Sequence, residues 1–456
     1  MGSFRRLIND LHNYLKNKLK KNFIRILVSI ALMALGSWTV HYNWLQRSVN
    51  YDSYVYSIDE AQRLKNYPMA QYAHGMQAWL RQDPKTAAKF FRQAISNNVL
   101  YLDGWLRLAE AEAALGNQEK AEKILAFTTS LTDQVFRWKW PQMLLARELG
   151  MTDSLYRNSN FLLSYGVLEQ DTFQLIHTHL NGDAERVVAV LDPEHLDAYL
   201  NWLMQWTMID ESLVVWQAIS DLEAAKKETA LRYAHFLLHN KRISVSREIW
   251  SQYTGIAGLT NPGFEMDITR QGFDWYFWND NNGNWEFKRV NRNAFEGNFA
   301  LKIIFSGREN ISFQHVYQII AVEPHEKYRL TYHWRSRRIT SDQGPFVEIS
   351  SFDRQGLYIK GPMITGTNSW HTESIEFAIP DGCQAALIRL RRLPSQRFDS
   401  KIRGVLWLDD FRLSKIPADM EKPHSDISIA VFGQGGKRRP FNYSTARFVN
   451  DGNFDQ

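Results

Sequence analysis

One uninterrupted apolar stretch near the N-terminus constrains this chain more than any other feature. Residues Phe23 to Tyr42 read FIRILVSIALMALGSWTVHY, with no charged side chain between Ile26 and Val40. A helix needs roughly 20 predominantly apolar residues to cross a bilayer. We therefore predict a transmembrane helix at residues 23–42.

The charges around this stretch predict its orientation. Seven Lys and Arg side chains occur up to Arg25 against one acid, Asp10, whereas the eighteen residues after the stretch hold one Arg and three acids. The positive-inside rule then makes the N-terminus cytoplasmic and places the bulk of the chain in the periplasm of a bacterial inner membrane. The alternatives are a signal peptide cleaved near Ala34-Leu35-Gly36 and a buried core helix. We favour an uncleaved anchor because the charged leader is long for a signal peptide.

Length, charge and cysteine content set loose bounds. The chain has 456 residues, a formal net charge of +5 and a single cysteine, Cys383. It has room for two or three domains, and one cysteine excludes an internal disulfide framework. So small a charge gives no reason to expect nucleic acid. Residues 1–22 form a basic amphipathic leader, which we expect to lie on the anionic inner leaflet or to bind a partner.

Residues 53–258 show the apolar periodicity of helices and contain few prolines. Residues of similar size recur 34 positions apart, in the set Gly75, Ala87, Phe91, Ala94 and then the set Ala109, Ala121, Leu125, Thr128. This pattern resembles the tetratricopeptide repeat over Gln71 to Asp133. The resemblance implies an α-solenoid whose groove binds a protein segment. The alternative is a spacer that holds the C-terminal domain away from the membrane.

Beyond Thr260 the pattern changes to short alternating strands. They are separated by Gly, Pro, Asn and Asp and occupy residues 299–305, 311–320, 328–335, 346–352, 370–379, 385–393 and 405–413. This density predicts an antiparallel two-sheet β-sandwich at residues 261–416. The stretch Asn279 to Asn284 is predicted to be a hairpin turn. Residues 417–456 are polar and Gly-rich and are predicted to form an extended tail.

Four landmarks occur in a particular order within this β-domain. They are Asn261-Pro-Gly-Phe-Glu265, Gly297-Asn-Phe-Ala-Leu301, Gln318-Ile-Ile-Ala-Val-Glu-Pro324 and Trp407-Leu-Asp-Asp-Phe-Arg-Leu413. The order resembles the family 4/9 carbohydrate-binding modules, which are galactose-binding-like jelly rolls, over Asn261 to Ile416. The resemblance implies carbohydrate binding and a structural calcium ion held by Glu265 with Asp409 or Asp410. The alternative is that these are solvated or capping acids.

Aromatic side chains are the candidate sugar contacts, because flat rings stack on pyranose rings. Seven aromatic residues fall within residues 273–287. The predicted contacts, from this segment and from the strand at 328–335, are Trp275, Trp278, Trp285, Tyr332 and Trp334. The last two share one strand face and would line a concave sheet. Core packing is the alternative for each ring. The many arginines of the domain would suit an acidic polysaccharide.

Sequence motifs of catalysis are missing from the chain: it has no G-x-S-x-G, P-loop or H-E-x-x-H. We expect a non-enzymatic accessory protein of surface polysaccharide (exopolysaccharide) assembly or export. Its helical repeats would bind a protein and its sandwich a polysaccharide. One alternative is a structural adaptor of an envelope complex whose sandwich binds protein. Another is a glycan-processing enzyme, which needs two carboxylates about 5–10 Å apart in a cleft.

Overall fold

The computed structural model describes residues 67–222, 225–353 and 356–417, residues 22–40 except 25, and residues 12, 16, 19 and 20. It divides the chain into two compact units, Met1–Gly255 and Ile256–Gln456. Most of the predicted leader, and all of the predicted tail except residue 417, lie outside the described residues.

The apolar stretch forms helix α1, Asn22–Val40, which has a mean hydropathy of 1.9 and an entirely exposed apolar window. At 1.5 Å per residue it is roughly 28 Å long, which matches the hydrocarbon core of a bilayer. Membrane anchors and signal sequences share such a helix. Anchoring, orientation and a periplasmic location therefore remain predictions.

The first unit continues as consecutive helices joined by short turns. They are α2 (Pro68–Leu80), α3 (Pro84–Asn97), α4 (Leu102–Ala114), α5 (Gln118–Leu131), α6 (Phe136–Glu148), α7 (Thr152–Ser164), α8 (Glu169–His179), α9 (Ala184–Val190), the 3₁₀ turn Pro193–His195, α10 (Leu196–Gln205), α11 (Ile209–Asp221), α12 (Lys227–His239) and α13 (Ile243–Thr254). From α2 to α9, each helix packs against the next along the chain. The predicted helical domain is confirmed, whereas its tetratricopeptide character stays a prediction.

The contact between α2 and α3 shows why the sequence alternates small and large residues here. A Cβ atom on Gly75 would lie 2.4 Å from the ring of Phe91, so only glycine allows α2 to approach α3 this closely. Phe91 is completely buried as a result. Helix α3 begins at a capping residue, Asp83, whose carboxylate accepts a 3.0 Å hydrogen bond from the backbone N–H of Thr86.

The second unit is a sandwich of two antiparallel sheets, as predicted. Its strands are β1 (Trp275–Phe277), β2 (Trp285–Val290), β3 (Ala300–Ser306), β4 (Phe313–Ala321), β5 (Lys327–Ile339), β6 (Phe346–Ser351), β7 (Tyr358–Lys360), β8 (Gly366–Ala378), β9 (Ala385–Arg392) and β10 (Arg403–Lys415). Sheet 1 has the order β1-β4-β9-β6-β7, and sheet 2 has the order β2-β3-β10-β5-β8.

The core of the sandwich lies between the two sheets, and alternate residues of each strand point into it. On β9, for example, Ala386, Ile388 and Leu390 belong to the core cluster. Arg389 and Arg391, which alternate with these residues along the strand, point to the opposite side. Each sheet therefore has one outer face whose side chains do not contribute to the core.

The stretch Asn279 to Asn284 corrects the sequence analysis. It is a turn, with Gly283 at φ +68° and Asn284 donating its backbone N–H to Asp280 at 2.9 Å. However, β1 before it belongs to sheet 1 and β2 after it to sheet 2. The turn carries the chain between the sheets instead of closing a hairpin.

Candidate functional site

A continuous row of side chains crosses all five strands on the outer face of sheet 1. Tyr276 on β1 lies opposite Tyr317 on β4, and Tyr317 lies opposite Arg389 on β9. Arg389 in turn lies opposite Glu348 on β6, which lies opposite Lys360 on β7. Residues directly opposed in antiparallel strands share a face. We call these five residues the outer row.

The β1 end of the outer row is aromatic. The rings of Tyr276 and Tyr317 are stacked, with centroids 4.9 Å apart and planes at 7°. The ring of Trp278 lies 6.1 Å from Tyr276 and 6.2 Å from Tyr317, and its side chain is 44% exposed. The Tyr276 hydroxyl donates to the carbonyl of Gly272 at 2.8 Å. Burial raises the pKa of both tyrosines, so both phenols are neutral at physiological pH.

The centre of the outer row is a buried carboxylate beside two arginines. Glu348 is 0% exposed, and its Oε1 accepts a 2.6 Å hydrogen bond from Nε of Arg389. Nη1 of Arg391 lies 3.5 Å from the same oxygen. Oε2 of Glu348 is buried as well, and the Tyr358 side chain interacts with this carboxylate through a hydrogen bond. Nearby Tyr358 is exposed, and burial together with the Glu348 carboxylate raises its pKa.

These two halves suit a polar ligand that also has apolar faces. At the aromatic end, Trp278 is 44% exposed and Tyr317 is half-buried, whereas Tyr276 is 3% exposed, so the first two rings offer surface to a ligand. At the centre, the buried Glu348 carboxylate holds the guanidinium groups of Arg389 and Arg391 in place. The Arg389 and Arg391 side chains are 21% and 29% exposed, so their remaining N–H groups can donate to a bound oxygen.

Two of the predicted sugar contacts are core residues instead. Trp275 is 1% exposed, lies between the rings of Phe264 and Phe411, and donates Nε1–H to the carbonyl of Asn261 at 3.1 Å. Tyr332 is 0% exposed and stacks on Phe411. Both side chains point between the sheets, so neither ring has a face available to a sugar. The two prediction errors have one cause, since β-strand register sets which residues face inward.

Trp334 is a third core residue, and the other two predicted aromatics lie elsewhere. Trp334 is 8% exposed, belongs to the core cluster, and has its ring 5.1 Å from that of His371. Trp285 is half-buried and stacks on His315, while its Nε1–H donates to the carbonyl of Trp278 at 3.0 Å. Of the five predicted residues, only Trp278 lies beside the outer row with an exposed ring.

The predicted calcium ligands Glu265 and Asp409 do come together. A Cβ atom on Gly263 would lie 3.5 Å from Oδ1 of Asp409 and 3.7 Å from Cγ of Glu265. Both carboxylates reach the loop at residues 295–299. Oε1 of Glu265 accepts the backbone N–H groups of residues 298 and 299 at 2.8 and 2.9 Å, and Oδ2 of Asp409 accepts those of residues 295 and 296 at 2.6 and 3.2 Å. We call this arrangement the loop staple.

Backbone N–H groups bond to three of the four carboxylate oxygens of the loop staple, since Oδ1 of Asp409 accepts that of Asp410 at 2.7 Å. Each carboxylate oxygen has a second lone pair, so these hydrogen bonds do not exclude a metal ion. The described residues contain no group of three His, Cys, Asp or Glu suited to a metal ion. Ca²⁺ also binds backbone carbonyl oxygens and water, so the predicted calcium ion stays a prediction.

Asp410 lies outside the loop staple. Its Oδ2 is 3.1 Å from Nδ1 of His333, and its Oδ1 accepts a 2.8 Å hydrogen bond from Nε of Arg412. The backbone of Asp410 has φ +45°, at an irregularity in the pairing of β10 with β5. Asp409 therefore faces Glu265, while Asp410 pairs with Arg412 and lies beside the His333 ring.

Several solved structures are similar to part of this chain, in the C-terminal sandwich. TmCBM61 in complex with beta-1,4-galactotriose is 19% identical, with 35% of this chain and 97% of that chain covered and a TM-score of 0.25. The CBM22-1 xylan-binding domain of Paenibacillus barcinonensis Xyn10C is 15% identical over 34% and 92%, with a TM-score of 0.22. The Stig cyclase Fisc from Fischerella sp. TAU is 17% identical over 35% and 96%, with a TM-score of 0.24.

These similar proteins include sugar-binding modules and cyclases, so they do not decide what the outer row binds. No known protein family matches the chain, and no curated protein does.

Proposed function

We propose that the C-terminal sandwich binds a polysaccharide chain along the outer row of sheet 1. The observation that carries this proposal is the combination, on one outer face, of the exposed ring of Trp278 beside Tyr317 with the partly exposed guanidinium groups of Arg389 and Arg391, which Glu348 holds in place. A sugar ring has an apolar face for the aromatic end and hydroxyl groups for the centre.

Binding rather than cleavage is the activity that this face supports. Hydrolysis of a glycosidic bond generally uses two carboxyl groups on either side of the bond. Glu348 is the one carboxylate in the outer row, and Arg389 already holds one of its oxygens. The ion pair leaves the partly exposed N–H groups of Arg389 and Arg391 to donate to a ligand hydroxyl.

For the whole chain we propose an accessory role at a bacterial inner membrane, in surface polysaccharide assembly or export. Helix α1 would anchor the chain, and the helical unit would bind a partner protein. Two features support this proposal: the exposed apolar helix near the N-terminus, and a helical unit separate from the sandwich.

The test is binding of the detergent-solubilised full-length chain to a panel of neutral bacterial polysaccharides, measured by affinity electrophoresis and calorimetry. Trp278→Ala removes an exposed ring beside the outer row. Phe398→Ala is its matched control, because Phe398 is fully exposed and is not part of the outer row. We expect Trp278→Ala to weaken binding about tenfold, which is about 1.4 kcal/mol, and Phe398→Ala to change nothing.

Glu348→Gln tests the other half of the site. The amide keeps a carbonyl oxygen for Arg389 but removes the charge and places an N–H₂ donor beside the two guanidinium groups, so Arg389 and Arg391 are held less firmly for the ligand. We expect weaker binding with the fold retained. If no polysaccharide of a broad panel binds the folded wild-type chain, the proposal fails and the adaptor alternative, with a protein ligand, replaces it.

A further inference from the structure

Three cations converge on one indole ring on the outer face of sheet 2. Trp407 on β10 lies opposite Lys302 on β3 and Arg335 on β5. The charged groups of Lys302, Arg335 and Arg337 lie 5.9, 5.4 and 5.8 Å from the centre of its ring. Trp407 is only 5% exposed beneath them. The ring therefore supports the cations and has no free face for a sugar.

No acid neutralises these three cations within the described part of the chain. Arg335 donates to the amide oxygen of Asn293 at 3.3 Å, and no ion pair forms with it, Lys302 or Arg337. Asp409 shares the strand face with Trp407, but backbone N–H groups occupy its oxygens. Like charges at this spacing repel one another and attract an anion.

A cavity of about 660 Å³ adjoins this cluster, and three arginines line it: Arg337, Arg338 and Arg403. All three side chains are exposed, and no described carboxylate lies within ion-pair distance of Arg338 or Arg403. Arg337 belongs to both the cavity and the ring cluster, which makes the two a single surface. The volume lies within the range of small-molecule sites, about 300–1,000 Å³.

Glycine at position 404 is necessary for the shape of this cavity. Gly404 has φ +139°, and a Cβ atom there would lie 2.4 Å from the carbonyl oxygen of Arg338. Only glycine lets β10 pass so close to the end of β5. This close approach holds Arg338 and Arg403 on the same side of the cavity, beside Thr340, whose Oγ1 accepts the backbone N–H of Arg403 at 2.9 Å.

We infer that the arginine cavity of sheet 2 is a second binding site, and that it takes an oxyanion group, carboxylate or sulfate, carried by an acidic saccharide. A guanidinium group holds such an oxyanion through two parallel N–H donors, which lysine cannot do. A recessed cavity fits a single side group of a polymer better than it fits a flat lipid surface. The site lies on the opposite sheet from the outer row; the oxyanion follows from the arginines, and the saccharide that carries it rests on the proposed function.

The test compares binding of polygalacturonate and of neutral galactan to the detergent-solubilised full-length chain, at low and at physiological salt. The variant is Arg337→Gln/Arg338→Gln/Arg403→Gln. Its matched control, Arg81→Gln/Lys89→Gln/Arg186→Gln, removes the same charge from exposed positions of the helical unit. We expect the first variant to bind polygalacturonate at least about tenfold more weakly and the control to stay within about twofold. Binding of polygalacturonate to the first variant should also depend less on salt concentration, because charge contacts are lost.

Thermal unfolding of both triple variants shows whether weaker binding reflects lost contacts or lost folding. The single variant Arg403→Gln provides a second, milder change for the same comparison. The inference is overturned if the folded triple variant retains its affinity for polygalacturonate, or if the control loses as much. Heparin supplies sulfate groups. If the wild-type chain binds heparin and the Arg337→Gln/Arg338→Gln/Arg403→Gln variant does not, the inference is supported. Binding of soluble dihexanoyl-phosphatidylglycerol in place of both polymers overturns the saccharide assignment.

The proposal for the outer row and the inference about the arginine cavity can be refuted separately. Trp278→Ala is expected to weaken binding of a neutral glycan while leaving polygalacturonate binding intact. Loss of neutral binding alone would refute only the function proposed for sheet 1. Loss of polygalacturonate binding in Trp278→Ala would overturn the assignment to sheet 2.

Discussion

Removing the Glu348 carboxylate tests the centre of the outer row directly. Glu348→Ala leaves Arg389 and Arg391 without their shared acceptor. Removing one partner of a fully buried ion pair costs about 3–5 kcal/mol. The Arg389 and Arg391 side chains are 21% and 29% exposed, so water replaces part of the lost interaction. We expect the free energy of unfolding of the sandwich to fall by about 2–3 kcal/mol.

Glu348→Gln is the matched variant for this experiment. It keeps the shape of the side chain and an oxygen that accepts from Nε of Arg389, and it loses only the charge. A hydrogen bond to a neutral acceptor contributes about 1 kcal/mol less than one to a charged acceptor. The expected loss is therefore about 1 kcal/mol, less than half of that for alanine.

Hydrogen exchange read by mass spectrometry is the assay, because it reports β6 and β9 separately from the helical unit. Denaturant melts followed by tryptophan fluorescence supply the second measure. A loss below about 0.5 kcal/mol for Glu348→Ala would refute the reasoning, since it would place this pair among solvent-screened surface pairs. Equal losses for the two variants would show that the charge, which both variants remove, accounts for the loss and that the shape of the side chain does not.

Three further predictions concern the helical unit and the loop staple. Gly75→Ala should destabilise the helical unit by about 1–2 kcal/mol, because the new Cβ meets the Phe91 ring, and adding Phe91→Leu should restore part of the loss in thermal melts. Asp409→Ala should cost about 2–4 kcal/mol, since three backbone N–H groups lose their acceptor. If backbone donors satisfy the loop staple, calcium should leave the wild-type melting temperature unchanged; a rise that Asp409→Ala abolishes would establish a calcium site. Burial, and then the neighbouring His239, lower the pKa of His235 from 6.5 to about 4. Because the unfolded chain binds this proton more readily, stability should decline as pH falls from 6.5 toward 4, and His235→Gln should flatten that part of the pH–stability curve.

The sequence predicted the larger elements of the sandwich because they are long and regular. The seven predicted strands correspond to β3, β4, β5, β6, β8, β9 and β10, each with ends that differ by a few residues. The short strands β1 and β7 have three residues each, too few for an alternating pattern to show. We also did not list strand β2, which follows the Asn-rich turn that we took for a hairpin turn.

The candidate site was less accessible to sequence reasoning. Trp275 and Tyr276 are adjacent aromatics, so exactly one of them faces outward, and only the pairing register decides which. We predicted Trp275, which the structure places in the core, whereas Tyr276 faces the outer row and is itself 3% exposed. Glu348 gave no signal of its own, because the outer row joins strands that are far apart in sequence. A hint existed in Arg389 and Arg391, which alternate with apolar residues and so had to share an outer face.

The short strands at the two edges of sheet 1 give the outer row a mechanical consequence. β1 and β7 each pair with a single neighbour over three residues, so they are the first parts of the sheet to fray. A ligand that lies along the row touches both of them and the three strands between. Such a ligand would hold the five strands together. Its binding should therefore slow amide exchange most in β1 and β7, the edge strands.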